Sequence, residues 1–469
     1  MKMWSGRFRQ PLDPQFERWQ RSFDFDRRLL RYELAASAAH ARALKNAAVL
    51  SADDLISILE GLQQIGETAA SANGFVADEE AEDVHHFVEK QLAARIGEVG
   101  YKLHSGRSRN EQIATDLRLY VRAAIDELRK ELVEVCGAFT DRAEQAGNAA
   151  MPAYTHLQHA EPVLVGHWLL AYPEMFLRDA DRLADCRKRL NVCPLGSGAI
   201  AGATLPLDRA FMAKELGFTG PTANSIDATS DRDFILEFVN ALSLLCLHLS
   251  RWAEEMILFS SQEFGFVQLP EAYSTGSSAM PQKKNPDLLE LVRGKTGRVI
   301  GSATALMVTL KGLPLAYNKD LQETQESLFD AADTTLALLP LVAGFMKAVE
   351  FDLPRMSEAS QSGFMNAWAA ATYLVSRGVA SRLAHEQIGK AVKVCLQKNC
   401  ELQALSLDDL RSLHSAFDES FYECLKPSAV LAIHDVVGGT APTRVRQGIA
   451  AAKRKIDSLR EEVNFHAHA

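Results

Sequence analysis

Three short stretches of this 469-residue chain hold side chains that could do chemistry. The first is Lys102-Leu-His-Ser-Gly-Arg-Ser-Arg-Asn-Glu-Gln, where Arg107, Arg109 and Asn110 stand where an irregular stretch feeds a long helical pattern. Arginines beside the free amides of a helix N-terminus make a seat for carboxylates. The second is Thr155-His156-Leu157-Gln158, a histidine among hydrogen-bonding neighbours that can act as acid or base near neutral pH. The third runs from Thr275 to Asp287. Gly276 permits a tight turn, Ser277 and Ser278 offer hydroxyls, and Lys283 and Lys284 bring positive charge. Asn285 is expected to cap a helix with Pro286 in its first turn, and Glu290, one turn in, can reach back. A basic, serine-rich loop on a helix N-terminus suits an anion that gains negative charge. Each stretch also has a plainer reading: a solvated helix start, an ordinary loop histidine, a mobile linker.

Two other patterns carry less. The run Leu195–Gly202 is GxGxxxG with no strand before it, so a tight loop explains it better than a nucleotide cradle. His85–His86 and His466/His468 lack a converging ligand set, and no HExxH occurs, so no metal is expected.

The elements that must position these stretches are helical. From Asn110 to Ala146, apolar residues at Ile113, Leu117, Val121, Ala124, Leu128, Leu132, Val135 and Phe139 recur every three or four positions. About 37 residues at 1.5 Å each make a rod of roughly 55 Å, which needs partners along its length. Four more long helices are predicted over 161–190, 231–264, 286–311 and 320–349, with Pro162 in a first turn and Pro173 and Pro340 inside helical patterns. Strand patterns are almost absent, and the expected class is all-α, a central long-helix bundle. Three units are expected: 1–107 of short helices, 108–355 the bundle, and 356–469 a C-terminal helical unit ending in a charged helix. The irregular stretch 263–285 is long enough to be a functional loop, and its glycine and length suggest a lid.

Composition narrows the class. Lys+Arg total 51 against 60 Asp+Glu, a net charge of −9, which argues against a dedicated nucleic-acid or anionic-membrane binder. Seven scattered cysteines without CxxC read as buried thiols of a cytoplasmic protein. The apolar run 238–249 is too short to span a bilayer and reads as a core helix, and residues 1–20 lack a signal-peptide core.

GSSAMPQKKNP (276–286) closely resembles the GSSxMPxKxNP loop of the fumarase/aspartase superfamily. Within it, MWSGRF (3–8), LHSGRSRNEQ (103–112), THLQHAEP (155–162), QKKNPD (282–287) and YNKDLQE (317–323) resemble the argininosuccinate lyases, with GGTAP (438–442) as a C-terminal trace. The resemblance implies reversible cleavage of argininosuccinate to arginine and fumarate without metal or organic cofactor. It also implies a homotetramer whose subunits pack their long helices into one core and share each active site.

By the same resemblance Ser277 acts on the C–H proton, with Lys283 and Asn285 stabilising the aci-carboxylate that forms. His156, paired with Glu290, moves a proton at the departing guanidino nitrogen; which of Ser277 and His156 is acid and which base stays open. Ser22, Arg109, Asn110, Thr155, Tyr317 and Gln322 are implied substrate binders, with Arg107, Arg232 and Lys319 beside them. Where many relatives place a lysine two residues after YNKDLQE, this chain has Gln325, which puts one carboxylate contact in question. Ser105, His159 and the IHDVVGG run depart from the pattern more mildly. The alternatives are another fumarate-releasing lyase (adenylosuccinate lyase, aspartase or fumarase), a crystallin-like structural relative, or a helical scaffold.

Overall fold

A computed structural model describes residues 10–71 and 76–468. The MWSGRF motif lies outside the described residues, as do the side chains of His466 and His468.

The rod expected from apolar spacing is the helix Arg109–Gln145. Ser108 opens it with a capping box: Asn110 N donates to Ser108 Oγ at 3.3 Å, and Ser108 N donates to Glu111 Oε1 at 3.0 Å. Every residue of the expected stripe, from Ile113 to Phe139, is buried. So are Leu119, Ile125 and Val133 off that stripe, because the helix is packed on several sides. Its neighbours are Val165–Leu190, Glu323–Ala348 and Pro442–His468, while Asp233–Ser260 and Asp287–Leu310 pack together beside it.

Four aromatic rings tie four of these helices together in the bundle core. Phe139 meets Phe176 at 5.6 Å and Trp252 at 6.0 Å, and Trp252 meets Phe345 at 5.4 Å, all edge-on. Pro173 and Pro340 sit inside their helices as expected. The 238–249 run is core: Phe238, Val239, Leu242, Leu245, Cys246 and Leu249 are fully buried. The segments 233–260 and 319–348 are long and apolar enough to cross a membrane, yet each turns a buried face into this core.

The N-terminal helices Leu30–Asn46, Ala52–Ser71 and Val84–Ile96 gather around the start of the long helix. A second core, with Tyr373, Leu374, Ile388, Phe417 and Phe421, forms under Ala367–Ser376 and Ser381–Lys398. The last helix, expected to close that C-terminal unit, instead lays Val445, Ile449, Ile456 and Leu459 into the bundle core, and Glu462 accepts from Arg129 Nη2 at 2.6 Å. Its charges lie on the outer side of a helix whose apolar face belongs to the bundle.

Local elements differ from expectation in two places. The linker after the long helix is a β-hairpin, Ala150–Thr155 paired antiparallel with Gln158–Leu164. The next helix therefore begins at Val165, and Pro162 stands in the second strand opposite Pro152. Asn285 does not cap a helix: it pairs with Thr275 in a short ribbon, and Pro286 is the residue before the helix.

Candidate active site

At the N-terminal end of the long helix, Ser22, Asp26, Glu82, Asp83, His85, Arg109, Asn110, Ile113, Tyr317, Lys319, Gln322 and Gln325 line a cavity of about 170 Å³. Six residues singled out from sequence, Ser22, Arg109, Asn110, Tyr317, Lys319 and Gln322, thus meet in one place although they span some 300 positions. Arg109 Nη1 lies 3.1 Å from Asp83 Oδ2 and 3.5 Å from Glu82 Oε2. Asn110 Nδ2 donates to Ala199 O at 3.2 Å, and Gln322 Nε2 donates to Gln20 O at 3.1 Å. Ser22 Oγ donates to Asp26 Oδ2 at 2.6 Å. Burial, then the nearby Asp83 charge, pushes the Asp26 carboxyl up to about 7. Burial also raises the Tyr317 phenol.

Gln325 is buried, its Oε1 is unpartnered, and neither end of its carboxamide makes a hydrogen bond among the described residues. It is the main departure from the family pattern, and it lies in the cavity wall.

The glycine-rich run 195–202 is the tight loop expected, and it serves this end of the helix. Gly198 N donates to Glu111 Oε2 at 3.0 Å, at a φ of +60°. The Glu111 carboxylate therefore holds the helix cap with one oxygen and this loop with the other.

Arg107 and Arg232 are not in the cavity wall. Arg107 is turned inward, donating to Ser37 Oγ at 2.9 Å with Nη2 3.8 Å from Glu33. Arg232 is buried behind Tyr317, donates to Asp231 O at 2.7 Å, and leaves Nε and Nη2 unpartnered. Burial brings its guanidinium down to about 10. Asp26, Glu82, Asp83 and His85 complete the wall without being singled out for it in the sequence, where only the His85–His86 pair stands out, as a metal candidate.

The hairpin carries Thr155 and His156 at the other end of the bundle. Thr155 pairs with Gln158, so the turn is His156–Leu157, with φ of +57° and +58°. This is the mirror-image turn that matches strand twist, held here without glycine, and such strain collects at functional tips. His156 is exposed and makes no hydrogen bond or ion pair among the described residues. Since the hairpin follows the far end of the helix that Arg109 opens, roughly 55 Å of rod separates His156 from the cavity.

The third stretch is strapped rather than free. Thr275–Gly276 pairs with Lys284–Asn285, closing the loop 277–283 at its base. Asn285 Nδ2 donates to Thr275 Oγ1 at 3.4 Å, Thr275 in turn bonds Asp287, and Lys284 Nζ donates to Leu269 O at 3.1 Å. Ser277 Oγ accepts from the amides of Ala279 and Met280 at 3.2 and 3.1 Å. Lys283 has no side-chain partner among the described residues, and Glu290 meets only Arg293, at 4.0 Å. Within one chain, His156 and Glu290 are not paired. The hairpin and this loop flank the same end of the bundle, where Tyr154 packs against Phe259 and Phe264.

Comparison with known proteins agrees over nearly the full length. The Lyase family profile matches residues 6–301, and the argininosuccinate lyase C-terminal profile matches 364–432. The argininosuccinate lyase of Koribacter versatilis is 60% identical over 461 residues, covering 98% of this chain and 99% of its own. That of Acidobacterium capsulatum is 57% identical over 464 residues, covering 98% and 96%. Among solved structures, EDDS lyase in complex with formate superposes with a TM-score of 0.84 at 24% identity, covering 98% of this chain and 93% of its own. The 3-carboxy-cis,cis-muconate lactonizing enzyme of Pseudomonas putida gives 0.73 at 22%, covering 94% and 100%. These two share the fold.

Proposed function

Since the chain belongs to the argininosuccinate lyase family, we propose that its active site is assembled from the cavity of one subunit and the hairpin tip and serine loop of others. The reaction is reversible cleavage of argininosuccinate to arginine and fumarate, catalysed by a carbon–nitrogen lyase.

The C–H bond to be broken lies beside a carboxylate, so losing its proton spreads a second negative charge over that group. Fixed positive charge and aimed donors stabilise such a species more than a strong base does. Lys283, Asn285 and the first turn of the 287–310 helix supply them. Ser277 acts on the C–H proton, its ionised form supported by Lys283 and by the two loop amides that already point at its oxygen. His156 serves the departing guanidino nitrogen, with Glu290 of another subunit orienting its ring. Ser22, Arg109, Asn110, Thr155, Tyr317, Lys319 and Gln322 hold the substrate, while Arg107 and Arg232 act from behind the wall.

The observation that carries this reading is the separation of a polar cavity wall at one end of the rod from exposed His156 and Lys283, neither with a side-chain partner among the described residues, at the other. Apolar side chains left exposed along the bundle helices, Leu244, Leu247, Leu291, Ile300, Met307 and Val308, fit burial against further subunits of a homotetramer. The same reading places the protein in the cytoplasm, in arginine biosynthesis, with no metal, nucleic-acid or membrane partner. It keeps three units, 1–107, 108–355 and 356–469, with the last helix lent to the bundle. The test follows fumarate by its ultraviolet absorbance: wild type should release it from argininosuccinate, and Ser277→Ala should not, with its helical circular dichroism unchanged. Equal release by both would remove Ser277 from the chemistry.

A further inference from the structure

Behind the His85 wall of the cavity lies a group of acids that the mechanism above leaves unused. Asp116, on the long helix, is fully buried, and neither carboxylate oxygen has a hydrogen-bond partner. Glu33, on the Leu30–Asn46 helix, is equally buried but well supplied. Its Oε1 accepts from Ser37 Oγ at 2.6 Å and from Gln112 Nε2 at 3.0 Å, and its Oε2 from His85 Nδ1 at 2.9 Å. The same His85 nitrogen lies 3.7 Å from Asp116 Oδ2, and ligand atoms of Glu33, His85 and Asp116 all fall within 4.8 Å of one another.

An ionised carboxylate without a donor, buried against a second carboxylate, is not sustainable; something must neutralise it. A proton or a cation would do so. Positive charge is already present in Arg107, whose Nη2 lies 3.8 Å from Glu33, and although burial opposes it, the Glu33 carboxylate raises the His85 imidazole above its ordinary range. Three donors already occupy the Glu33 oxygens, which leaves a cation poor coordination and strong repulsion. A carboxylic acid, by contrast, converts Asp116 into a fourth donor to Glu33.

We propose that Asp116 is a neutral carboxylic acid in the working protein, donating its proton to Glu33, and that this pair positions His85 and Arg107 beside the substrate cavity. Asp116 is thus a positioning residue acting through Glu33. Glu33 stays ionised: burial opposes its charge, but His85 and Arg107 outweigh that and bring it to about 2. Burial and then the Glu33 charge raise the Asp116 carboxyl well above the usual range. The charged and titratable groups facing it are Glu33 from the 30–46 helix, His85 from the 84–96 helix, Arg107 from the turn before the long helix, and Asp26 from the short 23–26 helix. A second charge on Asp116 would compete with Glu33 for His85 and Arg107 and loosen both.

The kinetic part of the test rests on the lyase reading; the spectroscopic part does not. In the full-length protein, the infrared difference between wild type and Asp116→Asn should show loss of a protonated carboxyl C=O band that persists through neutral pH. Asp116→Asn keeps a donor of the same shape, so KM and kcat for argininosuccinate should stay within about twofold of wild type, whereas Asp116→Leu should raise KM about tenfold with a smaller change in kcat. Absence of the band, an Asn variant as impaired as the Leu variant, or a stoichiometric metal ion in the purified protein would each overturn the proposal. Should Asp116→Leu fail to fold, the band and the Asn kinetics still decide it. Should wild type release no fumarate, the lyase reading fails and the band alone decides the proton.

Discussion

Ser22 gives its hydroxyl hydrogen to Asp26 at 2.6 Å, and Asp26 takes the Val84 amide on its other oxygen at 3.0 Å. One buried carboxyl thus holds a cavity-wall hydroxyl on one side and the start of the 84–96 helix on the other. The Ser22 oxygen is left facing the cavity as an acceptor.

This pair predicts a pH dependence. Asp26 is raised from 3.8 to about 7 on folding, so between those values the folded chain holds a proton that the unfolded chain has released. Stability from this group therefore falls as the pH rises through that window. Asp26→Asn removes the titration, and the difference in Tm between variant and wild type should move in the variant's favour from pH 4 to pH 7. A flat difference would mean that Asp26 is ionised throughout.

Gly198 should tolerate no side chain. At φ +60° an added Cβ would stand 2.8 Å from the Gly202 carbonyl oxygen, and the Gly198 amide would shift away from Glu111. Gly198→Ala should lose about 1–3 kcal/mol of stability, read from urea unfolding of the wild type and variant at equal subunit concentration.

Gln325 should be improvable. It lines the cavity with an unsatisfied carboxamide, so a lysine there would exchange a weak neutral contact for a charge-assisted one to a substrate carboxylate. Gln325→Lys should lower KM for argininosuccinate about threefold to tenfold, with kcat nearly unchanged. An unchanged or higher KM would show that this wall meets no carboxylate.

Lys283 should matter to kcat rather than to KM. On the proposed mechanism Lys283→Met removes fixed positive charge where the carbanion gains charge, and kcat should fall about 10²–10³-fold with the secondary structure intact. A loss confined to KM would assign Lys283 to ground-state binding.

Much of this was legible in the chain because the signals were local. The stripe from Ile113 to Phe139 is a pure spacing pattern, and its helix runs where spacing put it. The 155–164 stretch was misread because its turn uses His156 and Leu157 at positive φ, with no Asn-Gly to announce a hairpin. Asn285 was misplaced because its side chain bonds across a two-residue ribbon, a partner choice that helix-capping preference does not contain. Asp26, Asp83 and His85 are hard to read as wall residues because they join the cavity only when the N-terminal helices close on the long helix. The inward turn of Arg107 depends on Glu33 and Ser37, some seventy positions earlier.

The central claim is that each active site draws its parts from different subunits, and mixing inactive variants tests it most directly. Arg109→Ala damages only the cavity, and Ser277→Ala damages only the loop; each homotetramer should be inactive. Unfolded together in equal amounts and refolded, the two should regain activity near one quarter of wild type, because about that share of sites draws an intact Arg109 from one variant and an intact Ser277 from the other. A mixture as silent as its components, with hybrid tetramers demonstrated by native mass spectrometry, would place Arg109 and Ser277 in the same subunit's site and contradict the account.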